Sequence, residues 1–291
     1  MTIAMAVFYR VFERNEGSGY AILLVVMIAV VLVVHALERI IPYRMDWAGG
    51  DGQWLNDLGH GLIGSLVGAP FRWMTSAWAV PALIAVSQNQ LGSALWPSSL
   101  PWWVQLAWLC LVAEFAKYWQ HRWMHTVPLF WRMHALHHSP EKLNGMKAIR
   151  DHFTERVFKA TGTFGVLALL GAPGKLVLLY MVSDFLRAFF AHSNADCRLG
   201  VLEYVISGPA AHRLHHSIDL KVSGSNYGSS ILLWDIMFGT YHCPVGKPGP
   251  DRIGIADNPI PANWLRQLLS PFIWNRLTLD VAARVRSQSE G

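Results

Sequence analysis

Histidine is concentrated in three short segments of this sequence. The segments are HRWMH at His121–His125, HALHH at His134–His138 and HRLHH at His212–His216. Side chains three or four residues apart lie on one face of a helix, with Cβ atoms about 5–6 Å apart. Each segment, if helical, therefore presents two or three imidazole rings on one side. Two further candidates, His152 in RDHFTE and His192 in FFAHSN, lie between the segments.

These ten histidines predict a site for two metal ions. A single ion rarely takes more than about six ligands, so the nitrogen donors suit a pair of ions. Imidazole binds iron, zinc and copper alike, and the ligand type leaves the metal open. HRWMH differs from the zinc protease pattern His-Glu-x-x-His because Arg122 replaces the general-base glutamate. The Glu-x-x-His pairs of carboxylate-bridged di-iron bundles are absent as well.

The composition indicates a membrane protein. Hydrophobic residues make up 53% of the 291 residues, charged residues only 15%, and the mean hydropathy is +0.27. We predict an all-α polytopic membrane bundle of about four transmembrane helices or helical hairpins. A histidine-rich helical cap is expected on its cytoplasmic side. The Lys and Arg residues that give the net charge of +5 lie in loops between apolar runs. This distribution indicates how the protein is oriented in a membrane, and it does not indicate nucleic-acid binding.

The apolar runs set the predicted organisation. The stretch from Tyr20 to Leu37 is uncharged and long enough to cross a bilayer, and further runs extend over 54–86 and from Pro101. A block at 160–191, interrupted by GAPG, is expected to form a membrane hairpin. We treat 1–291 as a single integral-membrane domain with these parts: an N-terminal interfacial segment (1–19), the first transmembrane helices (20–120), a first histidine-rich cytoplasmic part (121–159), the hairpin (160–191), a second histidine-rich cytoplasmic part (192–275) and a C-terminal tail (276–291).

The distribution of Lys and Arg predicts on which side of the membrane the histidines lie. No Lys or Arg occurs between Arg72 and Lys117, whereas both are frequent in the segment that follows His125. Cytoplasmic loops carry an excess of positive charge. The histidine clusters are therefore expected on the cytoplasmic side.

Further motifs surround the three histidine clusters. HALHH continues into HSP, FAHSN precedes HRLHH, and NYG and WDIMFGTY follow it. Over about residues 101–242, this order of motifs resembles the fatty acid hydroxylase and sterol desaturase superfamily of membrane di-metal oxygenases. Three clusters in this order are far more specific than any one alone. The sequence departs from the family at Gly224, where members often have an aspartate. Any role of that aspartate in the family is therefore not expected in this chain.

The resemblance implies a di-iron centre that uses O2 and two external electrons to hydroxylate or desaturate a lipid. The lipid class it implies is a sterol, a fatty acyl chain, an alkyl ether lipid or a carotenoid, and hydroxylation and desaturation both stay open. No catalytic residue is predicted beyond the metal ligands. The ligands that the resemblance implies are His121, His125, His134, His137, His138, His152, His192, His212, His215 and His216.

Each ligating imidazole is expected to donate its second ring N–H to a partner. The isolated histidines His35, His60 and His242 are expected to be packed or interfacial rather than ligands. Carboxylates and one amide near the clusters are the candidate partners: Glu114, Asp151, Glu155, Asp184, Asn194 and Asp235.

A membrane protein that binds or transports metal without redox catalysis is the alternative function. A transport path would place ionisable residues in the middle of the spans. The stretches 22–34, 77–86 and 104–113 contain none, and the histidines gather at one end of the predicted spans. The distribution therefore favours the enzyme.

The electrons are expected to come from a separate ferredoxin, cytochrome or reductase. We expect no dinucleotide- or flavin-binding loop in this chain. Its three cysteines are far apart and suit neither an iron–sulfur cluster nor a disulfide framework. Lys142 and Lys147 are expected to belong to a basic cytoplasmic surface where an acidic donor docks.

Overall fold

The computed structural model describes residues 16–74, 95–246 and 249–289 of the chain. Within these ranges the regular elements are helices, and pairing of extended backbone is confined to isolated bridges such as that between Ile206 and Ile231. The predicted all-α class is therefore confirmed for the described residues. Most of the predicted N-terminal interfacial segment, and residues 75–86 of the second apolar run, lie outside them.

Eleven α-helices are present in the described ranges, together with short 3-10 helices at Met45–Trp47, Gly145–Ile149 and Gly200–Tyr204. The longest helices precede the second histidine cluster, and the helices after the third cluster are short except for the last. In chain order they are α1 (Glu16–Ile40), α2 (Trp54–Met74), α3 (Trp102–Thr126), α4 (Pro128–His138), α5 (Phe153–Leu169), α6 (Gly174–Ala191), α7 (Pro209–His215), α8 (Leu220–Ser223), α9 (Leu233–Met237), α10 (Trp264–Leu269) and α11 (Trp274–Ser289).

Helix α1 has the composition of a membrane span. Its segment Ala21–Ile40 has a mean hydropathy of 2.8, and only 11% of its most apolar stretch is buried within the protein. Leu24, Val25 and Leu32 are each more than half exposed. Such a surface requires lipid or another apolar partner. Among the described helices, α1 alone combines the length and hydropathy of a span, so the other predicted spans stay predictions.

Helices α3, α5 and α6 form the core beneath the histidines. Leu109 and Ala113 of α3 belong to one buried apolar cluster with Leu167 of α5 and Leu179 of α6. The GAPG stretch separates α5 from α6, and Gly171 within it has a φ of +76°. A residue without Cβ adopts this left-handed conformation at little cost, which is why glycine commonly ends a helix.

Helix α2 contains a Gly-x-Gly-x-x-Gly pattern, GHGLIG at residues 59–64. The pattern binds dinucleotides only in a turn between a strand and a helix, but here it lies inside α2. Its glycines permit close packing instead. A Cβ at Gly59 would lie 2.7 Å from the Trp264 ring, and one at Gly61 would lie 2.9 Å from Ile149. The pattern is thus present in the sequence, and the described fold places it within a helix.

Helices α3 and α4 bring the first two histidine clusters together. α3 ends at Thr126, and Val127, in an extended conformation, separates it from Pro128 at the start of α4. Proline is favoured at the first position of a helix because the N–H that it lacks would have no partner there. Helix α7, which carries the third cluster, begins in the same way with Pro209.

A buried ion network anchors the loop after α4. Nζ of Lys147 lies 2.8 Å from Asp51 and 2.6 Å from Asp57, and Arg150 reaches Asp57 at 2.7 Å. Only 1% of the Lys147 side chain is exposed, so its predicted place on a donor-docking surface is wrong. Asp51 and Asp57, near the start of α2, therefore neutralise the charge of Lys147, which the sequence analysis placed on an exposed surface. Lys142, by contrast, is only half-buried.

Replacing Asp57 by alanine should destabilise the protein by about 3–5 kcal/mol, because it removes one partner of a buried ion pair. Arg150 would lose its carboxylate, and Lys147 would keep only Asp51. The apparent melting temperature of the detergent-purified variant measures the effect. Asp46→Ala is the control, since that carboxylate is 60% exposed and its ion pair contributes little. Equal midpoints for the two variants would contradict a role of the network in holding this loop.

Candidate metal centre

Nine histidines form two adjacent groups. Within each group, one ring nitrogen per residue lies within 4.8 Å of every other. The groups touch, since the rings of His138 and His216 stack with centroids 4.2 Å apart. The first group consists of His121 and His125 from α3, His134 and His138 from α4, and His215 from α7. The second consists of His137 from α4, His192 at the end of α6, and His212 and His216 from the end of α7.

The two His-x-x-His-His motifs divide their histidines between the groups. In α4 the outer pair, His134 and His138, joins the first group and His137 joins the second. In α7 the allocation is reversed, so that His215 joins the first group and the outer pair joins the second. Positions i and i+4 differ by about 40° around a helix, whereas i+3 lies about 60° to the other side. The i, i+4 pairs therefore stay together, and each motif serves both groups.

The Nε2 atoms of the rings converge within each group. In the first group, Nε2 of His134 lies 3.1 Å from Nε2 of both His121 and His138. In the second, Nε2 of His212 lies 2.9 Å from Nε2 of His192. Each group therefore directs its ring nitrogens towards a common centre.

Backbone carbonyl groups determine which ring nitrogen carries the hydrogen. A carbonyl oxygen only accepts hydrogen bonds, so an Nδ1 atom bonded to one carries the hydrogen and the Nε2 atom of that neutral ring carries a lone pair. The sequence does not reveal these partners, because every residue has a carbonyl group. The bonds run from Nδ1 of His121 to the Tyr227 oxygen (2.7 Å), from Nδ1 of His192 to the Ala188 oxygen (2.7 Å) and from Nδ1 of His215 to the Ser225 oxygen (2.8 Å).

The donor set fits metal ions. Lone pairs that face one another at these distances repel, and an ion between them relieves the repulsion by accepting each pair. Nε2 of His125 and Nε2 of His215 are buried and have no hydrogen-bond partner among the described residues. Buried polar atoms are nearly always paired unless water or an ion completes the site. Two compact groups of imidazole nitrogens suit transition-metal ions.

Burial favours the neutral form of four of the imidazole rings. Desolvation, reinforced by the neighbouring rings, lowers the pKa of His134 and His138 well below 6.5. Desolvation likewise lowers the pKa of His192 and His215 to about 3. Neutral imidazole is the form that binds metal, so at neutral pH an ion displaces no proton from these rings.

Two of the predicted carboxylates lie beside the rings. Oε1 of Glu155 is 2.8 Å from Nδ1 of His134, a ring of the first group. Oδ1 of Asp151 is 3.1 Å from Nδ1 of His137, a ring of the second group, but the N–H of that ring does not point at it. The carboxylates thus support one histidine in each group.

Lys159 connects these two carboxylates. Its Nζ lies 2.5 Å from Oε1 of Glu155 and 3.5 Å from Oδ2 of Asp151. Burial lowers the pKa of Lys159, but the two carboxylates outweigh burial and raise it above its usual value. Burial and the charge of Asp151 raise the pKa of Glu155. Lys159 is therefore shared by the carboxylates beside both histidine groups, and Arg156, whose Nε lies 3.8 Å from Oδ2 of Asp151, is a second cation there.

Asp235 acts on an imidazole ring indirectly, through the backbone of a loop. Its carboxylate accepts hydrogen bonds from the backbone N–H of Tyr227 at 2.8 Å and of Gly228 at 2.7 Å, and from the Thr240 hydroxyl at 2.7 Å. Because the carbonyl oxygen of Tyr227 is the acceptor for His121, Asp235 holds the loop that orients that ring.

The other predicted partners do not contact an imidazole ring. Their polar atoms are engaged by groups that the sequence does not place nearby. Glu114 accepts from the Tyr180 hydroxyl and the Ser230 N–H, Asp184 pairs with Lys117, and Asn194 exchanges hydrogen bonds with the backbone of Arg44.

His152 lies outside both groups, in contrast to the prediction. It is the N-cap of α5, where its Nδ1 accepts from the Thr154 N–H at 3.3 Å. Its Nε2 lies 3.0 Å from the Leu268 carbonyl oxygen and donates to it. Both ring nitrogens are therefore used, one to cap α5 and the other to hold the last turn of α10. The candidate ligand set has nine histidines instead of ten.

The fold and the site together define a helical protein with a buried, all-histidine candidate metal centre. A family model described as fatty acid hydroxylase matches residues 106–240, the stretch that carries all nine histidines. Ornithine lipid hydroxylase OlsE from Rhizobium tropici is 34% identical over 85% of this chain and 75% of its own length. The chain belongs to the fatty acid hydroxylase family, which confirms the resemblance found in the sequence.

Other relatives match smaller shares of their own length. Alkylglycerol monooxygenase from Xenopus tropicalis is 30% identical over 72% of this chain, which spans 45% of that protein. A very-long-chain aldehyde decarbonylase of Oryza sativa subsp. indica is 29% identical over 48% of this chain and 54% of its own length. No solved structure matches the chain.

Replacing Lys159 by methionine should weaken metal retention by both groups, by about 10–100-fold, as for other groups that support ligands. The carboxylates behind His134 and His137 would lose their shared ammonium. Metal content after dialysis against increasing chelator concentrations measures the effect. Lys221→Met, an exposed lysine of α8, is the matched control. A loss that stops at half of the metal would contradict a role shared by the two groups.

Alanine substitutions at His192 and His152 should have different effects on metal content. His192→Ala removes a converging donor from the second group, whereas His152 contributes none. Mass spectrometry of the metal bound to each purified variant, with circular dichroism as a check on folding, separates the two. A folded His152→Ala variant that loses as much metal as His192→Ala would show that His152 is a ligand after all.

Proposed function

We propose that this protein is a membrane-bound, non-haem di-iron oxygenase that uses O2 and external electrons to hydroxylate or desaturate a lipid. The observation that carries the proposal is the pair of adjacent, buried histidine groups with converging Nε2 atoms. The proposed ligands are the nine histidines of these groups.

The names of the relatives support iron over zinc. Relatives called hydroxylase and monooxygenase insert oxygen into their substrates. At a metal centre such a reaction requires a redox-active ion, and zinc has no redox chemistry. When bound, a pair of iron ions would supply the electron transfer that reduces O2. Imidazole nitrogen suits iron as well as zinc, so the donor set permits this assignment.

Both reactions balance with the same external supplies. Hydroxylation takes up O2, two electrons and two protons, converts one C–H bond to C–OH and releases one water. Desaturation takes up the same supplies, removes a hydrogen from each of two neighbouring carbons and releases two waters. The electrons come from the separate donor that we propose, a ferredoxin, cytochrome or reductase.

A cavity beside the histidines supports access for an organic substrate. It measures about 280 Å³, lies between α3, α5 and α6, and is bordered by histidines of both groups. Apolar side chains on its walls exclude water from the reacting carbon, which protects an oxidising site from side reactions. The apolar wall includes Met124, Phe164, Met181 and Phe185.

The residues around the rings hold the site in its binding form. The carbonyl of Tyr227 keeps the hydrogen of His121 on Nδ1, so that the Nε2 lone pair faces the centre. Asp235 fixes that carbonyl through the N–H groups of its loop. Glu155, paired with Lys159, orients the ring of His134, and Asp151 places a negative charge beside the ring of His137.

The proposal includes a membrane arrangement of about four spans with the histidines on the cytoplasmic side. The exposed apolar surface of α1 supports contact with lipid. In this arrangement the parts of the chain begin at residues 1, 20, 121, 160, 192 and 276. The nine histidines fall in the two proposed cytoplasmic parts, 121–159 and 192–275.

Metal binding or transport without redox catalysis is the competing function. The relatives named as hydroxylase and monooxygenase favour the enzyme. The deciding experiment measures iron content and O2 consumption of the purified protein with a chemical reductant and, in turn, an ornithine lipid, an alkylglycerol and a very-long-chain aldehyde. Lipid-dependent O2 consumption by a protein with two irons supports the oxygenase. Stable metal binding without O2 consumption on any of these lipids supports the competitor.

Metal exchange tests the choice of iron. Chelation should abolish turnover, and Fe²⁺ added to the metal-free protein should restore it. Zn²⁺ should occupy the same imidazole donors without restoring turnover, because it does not change oxidation state. Metal content and lipid oxidation are measured on the same samples. Turnover by the zinc-loaded protein would contradict a redox role of the metal.

A further inference from the structure

One polar side of the cavity is separate from the groups that contact the histidine rings. Lys117 on α3, Asp184 on α6 and Ser229 in the loop after Tyr227 form this side, whereas the other charged lining residues, Asp151, Arg156 and Lys159, lie in the network beside His134 and His137. An ion pair in such a wall loses hydration, which is costly unless the charges are well paired or a ligand contributes to their pairing. A cavity that received only an alkyl chain would have no use for these charges.

The polar side retains hydrogen-bonding capacity towards the cavity. The hydrogen bonds to the Asp184 carboxylate from described residues all fall on Oδ1, and they come from Lys117, Arg187 and Ser229. The Asp184 side chain keeps 26% of its surface exposed and that of Lys117 keeps 16%. An ammonium has three donors, and the described contacts of Lys117 use Asp184 and Ser229. Both charged groups can therefore accept a further partner.

The formal charges of this cluster cancel. Arg187 lies 3.1 Å from Asp184 and 3.9 Å from Glu114, so two cations and two carboxylates stand together. A ligand with one charge would leave a net charge in a poorly hydrated place. A ligand that carries both an ammonium and a carboxylate adds no net charge, and each of its ends finds an opposite charge in the cluster.

The polar side is close to the candidate metal centre. Lys117 precedes His121 by four residues on α3, and Asp184 precedes His192 by eight residues along α6. At about 1.5 Å per residue, the backbone positions of these two residues lie about 6–12 Å along the helices from those of the histidines. A headgroup held there presents a carbon only a few bonds away, not one far along an acyl tail.

We propose that Lys117, Asp184 and Ser229 form a headgroup subsite that selects a lipid bearing both an ammonium and a carboxylate. The subsite directs oxidation to the headgroup or to carbons next to it. The cavity volume of about 280 Å³ supports this assignment, because it is just below the usual range for small-molecule sites and suits part of a lipid. The inference rests on the proposed function for its oxidation step, but not for lipid binding.

The test compares two lipids on the full-length, metal-loaded protein in detergent. Equilibrium binding of an ornithine lipid, which carries both charges, and of a neutral alkylglycerol is measured without O2, so that no turnover occurs. Wild-type protein should bind the ornithine lipid more tightly. Lys117→Met and Asp184→Asn should each weaken its binding by about 10-fold or more, the effect of losing a hydrogen bond to a charged group. Binding of the alkylglycerol should be unchanged.

Controls separate loss of the subsite from loss of the fold. Metal content should stay at the wild-type level in each variant, and Lys221→Met on exposed α8 should bind both lipids normally. Ser229→Ala removes only a hydroxyl and provides a milder variant if the charge substitutions prevent folding. It should weaken ornithine lipid binding selectively, though by less than Lys117→Met.

The position of the new oxygen or double bond completes the test. Fragmentation of the product in a mass spectrometer should place it in the headgroup region. Equal affinity of the wild-type protein for both lipids, a parallel loss of both in the variants, or a product altered far along the acyl chain would overturn the subsite. Selective binding without oxidation of any lipid would sustain the subsite and overturn the oxygenase.

Discussion

Nine imidazole rings, seven of them buried and two half-buried, must face one another with their lone pairs inward, and the rest of the structure depends on how this unfavourable arrangement is held. Each ring needs a partner on its outer nitrogen to keep its orientation and tautomer. Carbonyl oxygens of Tyr227, Ala188 and Ser225 do this for one ring each. Carboxylates lie beside two rings of α4, and Lys159 and Arg156 supply the opposite charge. The helices therefore position acceptors as well as histidines.

Much of the donor set could be predicted from the sequence, because histidine spacing and helical periodicity are local properties. Eight of the nine converging histidines belong to the three clusters, and the ninth, His192, was predicted from the family resemblance. The all-α class followed from composition for a similar reason. The sequence did not predict which of the two groups each ring joins. Neighbouring residues such as His137 and His138 point about 100° apart around a helix, and packing decides which group each one faces.

Contacts between distant parts of the chain could not be predicted. His152 resembles a ligand in sequence, but the start of α5 and the Leu268 carbonyl occupy its two nitrogens. Lys147 resembles a surface charge, but Asp51 and Asp57 enclose it. The GHGLIG pattern resembles a nucleotide loop, but its glycines lie in a helix. In each case the local pattern is compatible with two environments, and only tertiary packing selects one.

The reversed allocation of the two His-x-x-His-His motifs has a consequence for how metal enters the protein. Because α4 and α7 each serve both groups, an ion held by the first group fixes the rotation of both helices. The rings of the second group are then already ordered, and less conformational entropy is lost when the next ion arrives. Thermodynamic linkage makes this effect reciprocal. The shared helices therefore predict cooperative uptake of two ions, with half-loaded protein as a minor species at equilibrium.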